Sequence, residues 1–302
     1  AVAFISTGIV PPALAQGVLL PPAGNIVTLS PSVQPFLLKG MKVDARDPLR
    51  MEFLFDEGSQ SMINDDFNTE SLRLIKYFLA SLTIPNKDLW VNLSPYESQR
   101  IVQEDLGRTG MGRDLLAQDY ILKQLTAGLL QPDGATGKAF WAEIYRRSFE
   151  MFGTTDIPID TFNKVWIVPG KSVVYQARSP DGTKMSAFVE SMELKVMLES
   201  DYLARAAAVG TIDGNAVADN AAVAMAKDVL RDVVIPVLEK EVNEGGNFAQ
   251  LRQVCHSLIL SSWFKKKLLA SAERAAVGET GGNAFAQVFV DQHKTAGVEI
   301  DN

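Results

Sequence analysis

The sequence is poor in the side chains that metal sites and nucleophilic enzymes most often use. Its 302 residues include one cysteine, Cys255, and two histidines, His256 and His293. A single cysteine excludes a framework of disulfides within the chain. Two histidines argue against a zinc or iron site built on imidazole ligands. We therefore expect neither a metal nor a cofactor.

Positive charge is also scarce, and no apolar run is long enough to cross a bilayer. Lys and Arg number 29 against 36 Asp and Glu, which gives a formal net charge of -7. A nucleic-acid binder needs a basic face to neutralise phosphates, so we expect no such partner. The N-terminal apolar segment is short and interrupted by Pro11 and Pro12, which argues against a transmembrane anchor.

The N-terminus resembles the end of a secretory signal peptide. Residues 1–15 carry no charge and are mostly small or apolar, and Ala13-Leu14-Ala15 before Gln16 has the form of a signal-peptidase site. A start methionine and a basic region are missing, so we expect the chain to begin inside its precursor. This pattern predicts an exported protein, periplasmic or extracellular. The alternative is an apolar arm that packs on the domain.

Residues 16–35 are rich in proline, glycine and serine, which predicts an extended lead-in. An α+β domain is expected over residues 36–207. It begins with two strands (36–44 and 51–58) and continues with helices over residues 66–82, 111–130 and 137–152. In the first helix the pattern assigns Leu72, Ile75, Leu79 and Leu82 to the core. In the third, Phe140, Ile144 and Phe149 are the apolar residues and Arg146 and Arg147 are expected in solvent.

The hydrophobic period changes after residue 157. Residues 157–199 predict an antiparallel meander of three strands, with a turn at Ser179-Pro180-Asp181-Gly182. A linker at 208–217 precedes a unit over residues 218–302, which holds two helices (218–243 and 248–273) and a terminal strand (286–291). Pro236 should kink the first of these helices. The fold class is thus α+β, with central helices, a β-meander and a C-terminal antiparallel helical hairpin, in one domain or two.

Aromatic, amide and arginine side chains are concentrated between residues 90 and 114. Such side chains suit stacking and bidentate recognition. The candidate binding residues are Trp90, Asn92, Tyr96, Arg100, Arg108, Arg113 and Asp114. The alternative is that the aromatics anchor a loop in the core while the arginines pair with nearby carboxylates.

Other candidates for chemistry are weaker. Cys255 and His256 are adjacent in a predicted helix, so their side chains point about 100° apart, and Cys255 is expected as a small core residue. Paired carboxylates could support glycoside hydrolysis. The pairs are Glu104 with Asp105, Asp114 with Asp119, and Asp156 with Asp160.

Four blocks of the sequence resemble an uncharacterised family of predicted exported proteins from poorly cultured Gram-negative-type bacteria. They are KDLWVNLSPYE, MGRDLLAQDYILKQL, GTTDIPIDTFNKVWIVP and NFAQLRQVCHSLILSSWFKKK. The resemblance runs from about residue 36 to the end, and members of the family continue beyond the position of Asn302. It implies export and a shared fold. The family has no known activity, so no catalytic residue is carried over.

These observations favour a non-enzymatic envelope protein that acts in binding or assembly, with envelope components or a second copy as partner. One alternative is an exported hydrolase that uses carboxylates on a polysaccharide. The other is a small-ligand-binding protein with a pocket at the residue 90–114 cluster.

Overall fold

The computed structural model of the protein describes residues 27–44, 47–59, 64–84, 104–155, 165–208, 221–276 and 298–299. The first half contains strands β1 (Leu37–Asp44) and β2 (Met51–Asp56) and helices α1 (Asn64–Leu82), α2 (Glu104–Gly107), α3 (Gly110–Leu129) and α4 (Ala135–Phe152). The second half contains β3 (Val165–Arg178), β4 (Lys184–Leu198), α5 (Glu199–Ala208), α6 (Ala221–Val229), α7 (Ile235–Glu244), α8 (Ala249–Ala276) and β5 (Val298–Glu299). The predicted α+β class is confirmed.

Four antiparallel strands form the sheet in the order β2-β1-β4-β3, and the two residues of β5 pair parallel to β3. The predicted turn joins β3 to β4, with Gly182 at a φ of 69° where a side chain would be strained. The predicted strand 286–291 lies outside the described residues.

The meander contains two long strands within residues 165–198, where the sequence pattern predicted three. Two register shifts, at Pro169/Ser172 and at Val173/Val174, keep the β3–β4 ladder continuous. Each shift adds one residue to a different strand, so the second cancels the first. At Gly170 a Cβ would lie 2.7 Å from the carbonyl oxygen of Glu193, so the glycine permits close strand approach at a bulge.

Helix α8 is the centre of the fold. Residues 251–261 are all buried, and the helix packs against α1, α3, β1 and β4. A helix that is surrounded on all sides must satisfy its own polar groups. Ser257 and Ser261 do so by donating to the carbonyl oxygens of Gln253 and Leu258. The hydrophobic core around α8 includes residues from both units predicted from the sequence.

The predicted C-terminal helical pair is present, and Pro236 interrupts its first member as expected. A five-residue π-helical segment, Leu230–Val234, separates α6 from α7, and Pro236 lies in the first turn of α7. The N–H of Ile235 donates to the carbonyl of Leu230, five residues earlier, and a wider turn of this kind accommodates a proline that an ordinary α-helical turn would not. Gly245 and a short 3-10 turn, Gly246–Phe248, then lead into α8.

Helix α1 buries a different stripe from the one that its leucines predicted. Leu74, Tyr77 and Phe78 are buried, whereas Leu72 and Leu79 are 55% and 49% exposed. Both stripes have helical spacing, so periodicity alone does not decide between them. The buried one carries the two aromatic side chains, which bury more apolar area than leucines.

The described part of the lead-in, residues 27–35, lies along the turn between α7 and α8. The N–H of Val33 donates to the carbonyl of Glu244 at 2.8 Å, and the N–H of Gly246 donates to the carbonyl of Pro31 at 3.1 Å. Arg252, buried in α8, donates to the carbonyl of Val33 at 2.8 Å. These bonds fix residues 28–34, which we call the N-terminal strap, onto the turn between α7 and α8 and the first turn of α8.

Candidate functional site

The structure separates the candidate binding residues that it describes. Trp90, Asn92, Tyr96 and Arg100 lie outside the described residues. Arg108, just before α3, and Arg113, in its first turn, are exposed, whereas Asp114 is buried. The three therefore do not form one exposed binding surface, and Asp114 faces the interior.

Asp114 is held by a buried hydroxyl. Tyr77 of α1 donates its hydroxyl hydrogen bond to the Asp114 carboxylate, and Gln250 of α8 donates to the Tyr77 oxygen at 3.3 Å. Burial raises the pKa of Asp114 and the pKa of Tyr77. The arrangement joins α1, α3 and α8 through polar groups, which is a structural role for Asp114.

The network extends to the sheet through Arg73. Its guanidinium donates to Gln253 Oε1 at 2.7 Å and pairs with Glu70. Gln253 in turn donates to the carbonyl of Phe36 at 2.9 Å, next to β1. Arg73 also lies 5.8 Å from the centre of the Tyr77 ring, in cation–π geometry.

The candidate carboxylate pairs gain no shared site among the described side chains. Asp119 is bound by Lys123 at 2.6 Å in an i,i+4 contact, and burial raises the pKa of Asp119. Asp114 is bound by Tyr77 instead, so the two acids have separate partners. The side chains of Glu104 and Asp105, and the whole of Asp156 and Asp160, lie outside the described residues.

Cys255 is a core residue, as expected. It is buried in α8, and burial raises the pKa of its thiol to about 12. A thiol with that pKa is protonated near neutral pH and is a poor nucleophile. His256 is equally buried, which lowers the pKa of its imidazole to about 3, and its Nδ1 has no hydrogen-bond partner among the described residues.

A groove of about 550 Å³ lies between β4 and α7, at a place that no sequence pattern indicated. It is lined by Met192, Glu193, Ile235, Pro236, Glu239, Lys240, Asn243 and Glu244. Asn243 accepts from the N–H of Leu194 at 2.9 Å and donates to the carbonyl of the same residue at 2.8 Å. Glu239 accepts from the N–H of Val196 at 3.3 Å. β1 pairs with β4 only as far as Phe188, and these side chains cover the edge of β4 beyond that point, which an added peptide strand would need.

The largest departure from expectation is an exposed row of aromatic side chains on α4. Tyr145, Phe149 and Phe152 are 47%, 64% and 40% exposed, and we call these three residues the α4 aromatic face. Their spacing of four and then three residues places them on one side of the helix. Trp141 lies at the start of this row, half-buried, with its ring 5.8 Å from that of Tyr145.

Phe149 was expected in the core with Phe140 and Ile144. The structure buries those two and Ser148, and it turns Phe149 outward. The spacing Tyr145-Phe149-Phe152 was the signal available in the sequence, since it is a second apolar row beside the first. A helix with two such rows needs a second neighbour, or it leaves one row in solvent.

A row of paired charges borders the α4 aromatic face. Arg146 bonds Glu143 at 2.6 Å and Glu150 at 2.7 Å, and Arg147 bonds Glu143 at 2.6 Å. Arg147 also reaches Asp232 at 2.8 Å. Hydrogen bonds from the two arginines lower the pKa of Glu143 to about 2. The border therefore carries alternating signs with no excess of positive charge.

The described parts of the chain hold neither a membrane-spanning helix nor a metal cluster. No helix among them is long and apolar enough to cross a membrane. Within the same residues, no group of three or more histidine, cysteine, aspartate or glutamate side chains is placed to hold a metal ion.

Comparison of the chain with models of known protein families, with curated proteins and with solved structures found no match.

Proposed function

We propose that this chain is an exported protein of the bacterial envelope that acts by binding and assembly rather than by catalysing a reaction. The signal-like pattern of residues 1–15 and the resemblance to exported proteins support the location. The α4 aromatic face supports the binding role, and it is the observation that carries the proposal.

Three aromatic rings in one exposed row are costly to leave in water. At the exposures given above they present on the order of 300 Å² of aromatic surface. A contiguous apolar patch of that size is comparable to the largest patch on a typical soluble domain, and such patches are often functional. Aromatic side chains are also the residues that dominate the binding energy of protein interfaces.

The titratable groups with shifted pKa values support binding over catalysis. Among the described residues, the raised pKa values of Asp114 and Asp119 accompany bonds to Tyr77 and Lys123 within the protein. Cys255 and His256 lie in the core, away from solvent. None of these four groups lines the groove between β4 and α7.

Binding to envelope material tests the proposal. The purified chain is sedimented with a bacterial envelope fraction, beside Phe149→Asp and Leu79→Asp. Leu79, about half exposed on α1, is the matched control for a charge placed on an apolar surface. Because a buried phenylalanine contributes about 2 kcal/mol, we expect Phe149→Asp to weaken binding at least about tenfold. Leu79→Asp should bind like the wild-type chain.

Equal binding by Phe149→Asp and the wild-type chain would remove the α4 aromatic face from the proposal. Turnover of a polysaccharide or another substrate in a hydrolase panel would overturn the non-enzymatic role itself. That result is checked with Asp114→Asn and Asp119→Asn, since activity lost in either variant would restore the carboxylate alternative.

A further inference from the structure

We infer that the partner of the α4 aromatic face is a second copy of this chain, which packs its own α4 against the first in antiparallel fashion. This inference rests on the proposed binding role of that face. It follows from the shape of the aromatic row and from the pattern of charge along its border.

The aromatic row is nearly symmetric about its middle. Tyr145 and Phe152 lie at its two ends, and Phe149 lies between them. A two-fold axis near residues 148 and 149 would set Tyr145 of each copy beside Phe152 of the other. A closed dimer needs such a self-complementary surface, because both copies contribute the same patch.

The charges beside the aromatic row are also complementary to the same charges of a second copy that is related by this two-fold axis. Arg146 lies one turn from Glu150 along α4, and the two side chains are 52% and 58% exposed. An antiparallel second helix brings Glu150 of one copy near Arg146 of the other. Each Arg146 can then bond to Glu150 of its own helix and to Glu150 of the other copy, and no two like charges face each other across the two-fold axis.

Electrostatics disfavours a membrane as the occupant. Attraction to an anionic bilayer needs an excess of lysine and arginine beside the apolar face. The border holds two arginines, Arg146 and Arg147, bonded to three acids, Glu143, Glu150 and Asp232. The chain as a whole has a net charge of -7. A surface of mixed sign is matched by another surface of mixed sign.

The size of the patch sets the expected strength. About 300 Å² of aromatic surface per copy totals about 600 Å² across a dimer, which is less than a stable complex buries, so association through this face is weak and transient. We therefore expect a reversible dimer whose population rises between about 10 µM and 1 mM. Sedimentation velocity of the full chain over that range measures it directly.

Four variants test the face and its symmetry. Phe149→Asp should remain monomeric throughout, while Leu79→Asp should dimerise like the wild-type chain. Arg146→Glu sets a new acid against Glu150 of the other copy and should weaken the dimer several-fold. Arg146→Glu with Glu150→Arg restores opposite charges across the axis and should recover it. Circular dichroism and thermal unfolding confirm that each variant is folded.

Several results would overturn the inference. One is a wild-type chain that stays monomeric to about 1 mM. Others are a Phe149→Asp variant that dimerises normally, or a charge-swapped double variant no better than Arg146→Glu. If Phe149→Asp loses envelope binding while the wild-type chain is monomeric, the face serves a different protein. That result would support the proposed binding function and would contradict the inference that the partner is a second copy of this chain.

Discussion

The carboxylate of Glu241 accepts a hydrogen bond from the backbone N–H of Ser30 at 3.1 Å, across a sequence separation of 211 residues. The hydroxyl of Ser30 donates to the same carboxylate, and Asn247 Nδ2 donates to it at 2.8 Å. Glu241 is buried, so these donors replace the water that a charged group would otherwise need. Glu241 thus adds a buried side-chain anchor to the backbone bonds that hold the N-terminal strap.

Gly245 leaves the space that Glu241 occupies, which yields a matched pair of substitutions. A Cβ at Gly245 would lie 2.3 Å from the Glu241 carboxylate, whereas at Gly246 the nearest atom is 3.6 Å away. We expect Gly245→Ala to dislodge the carboxylate and to lower the free energy of unfolding by about 2 kcal/mol. Gly246→Ala should change it much less. Urea unfolding measures both, and equal losses would contradict the role of Glu241.

The buried Tyr77–Asp114 contact predicts an asymmetry between its two partners. Tyr77→Phe removes the hydroxyl donor and leaves a buried carboxylate without it, which should cost about 1–3 kcal/mol of stability. Asp114→Asn keeps an oxygen that accepts from Tyr77 and removes the buried charge, so it should cost less. Urea unfolding at neutral pH compares the two variants, and a larger loss in Asp114→Asn would count against this assignment.

The pH dependence of Asp114 follows from its raised pKa. Because the folded pKa lies above the unfolded value, the ionised acid disfavours folding at neutral pH, and acidification through the folded pKa relieves this. The stability difference between Asp114→Asn and the wild-type chain should therefore shift in favour of the wild type as the pH falls from about 7 to about 4. Denaturant unfolding at several pH values measures it, and no shift would contradict the buried charge.

His256 predicts the opposite dependence on pH. Its pKa falls from 6.5 to about 3 in the folded chain, first through burial and then through the positive charges of Lys39 and Arg252. The unfolded chain therefore binds a proton that the folded chain does not, so stability is full above pH 6.5 and declines as the pH falls toward 3.

The His256→Gln variant has no imidazole at this position, so its unfolded state does not bind the extra proton at low pH. Its stability relative to the wild-type chain should improve on acidification, by up to about 1.4 kcal/mol per pH unit below 6.5. Unfolding in urea at about pH 7.5, about 5.5 and about 4.5 measures the change. A stability difference that stays constant with pH would show that His256 titrates normally in the folded state.

The burial of Cys255 predicts that its thiol reacts with labelling reagents mainly when the chain unfolds. Because it is buried and its pKa is raised to about 12, an aromatic disulfide reagent should react with the folded chain at least about 100-fold more slowly than with the chain in urea. The absorbance of the released thiolate follows the reaction. Rapid labelling of the folded chain would place the thiol at the surface. Cys255→Ala is the control for background reaction.

Local pattern alone determined the fold class and most of the secondary structure, with α5 and the number of strands within residues 165–198 as exceptions. Helical spacing located α1, α3 and α4, alternation located β1 and β2, and the turn at residues 179–182 located the β3–β4 hairpin. Proline chemistry marked the break before α7, and the apolar neighbours of Cys255 identified it as core. Each of these depends on residues within a few positions of one another, where sequence and geometry are directly linked.

Only the tertiary structure decided which apolar rows are buried. Helices α1 and α4 each carry two rows at helical spacing, and the neighbours available in the fold bury one of each and leave Leu79 and Phe149 in solvent. The strand bulges near Gly170 and the bond from Ser30 to Glu241 likewise depend on partners far along the chain. A sequence pattern records that a face is apolar, whereas packing determines what covers it.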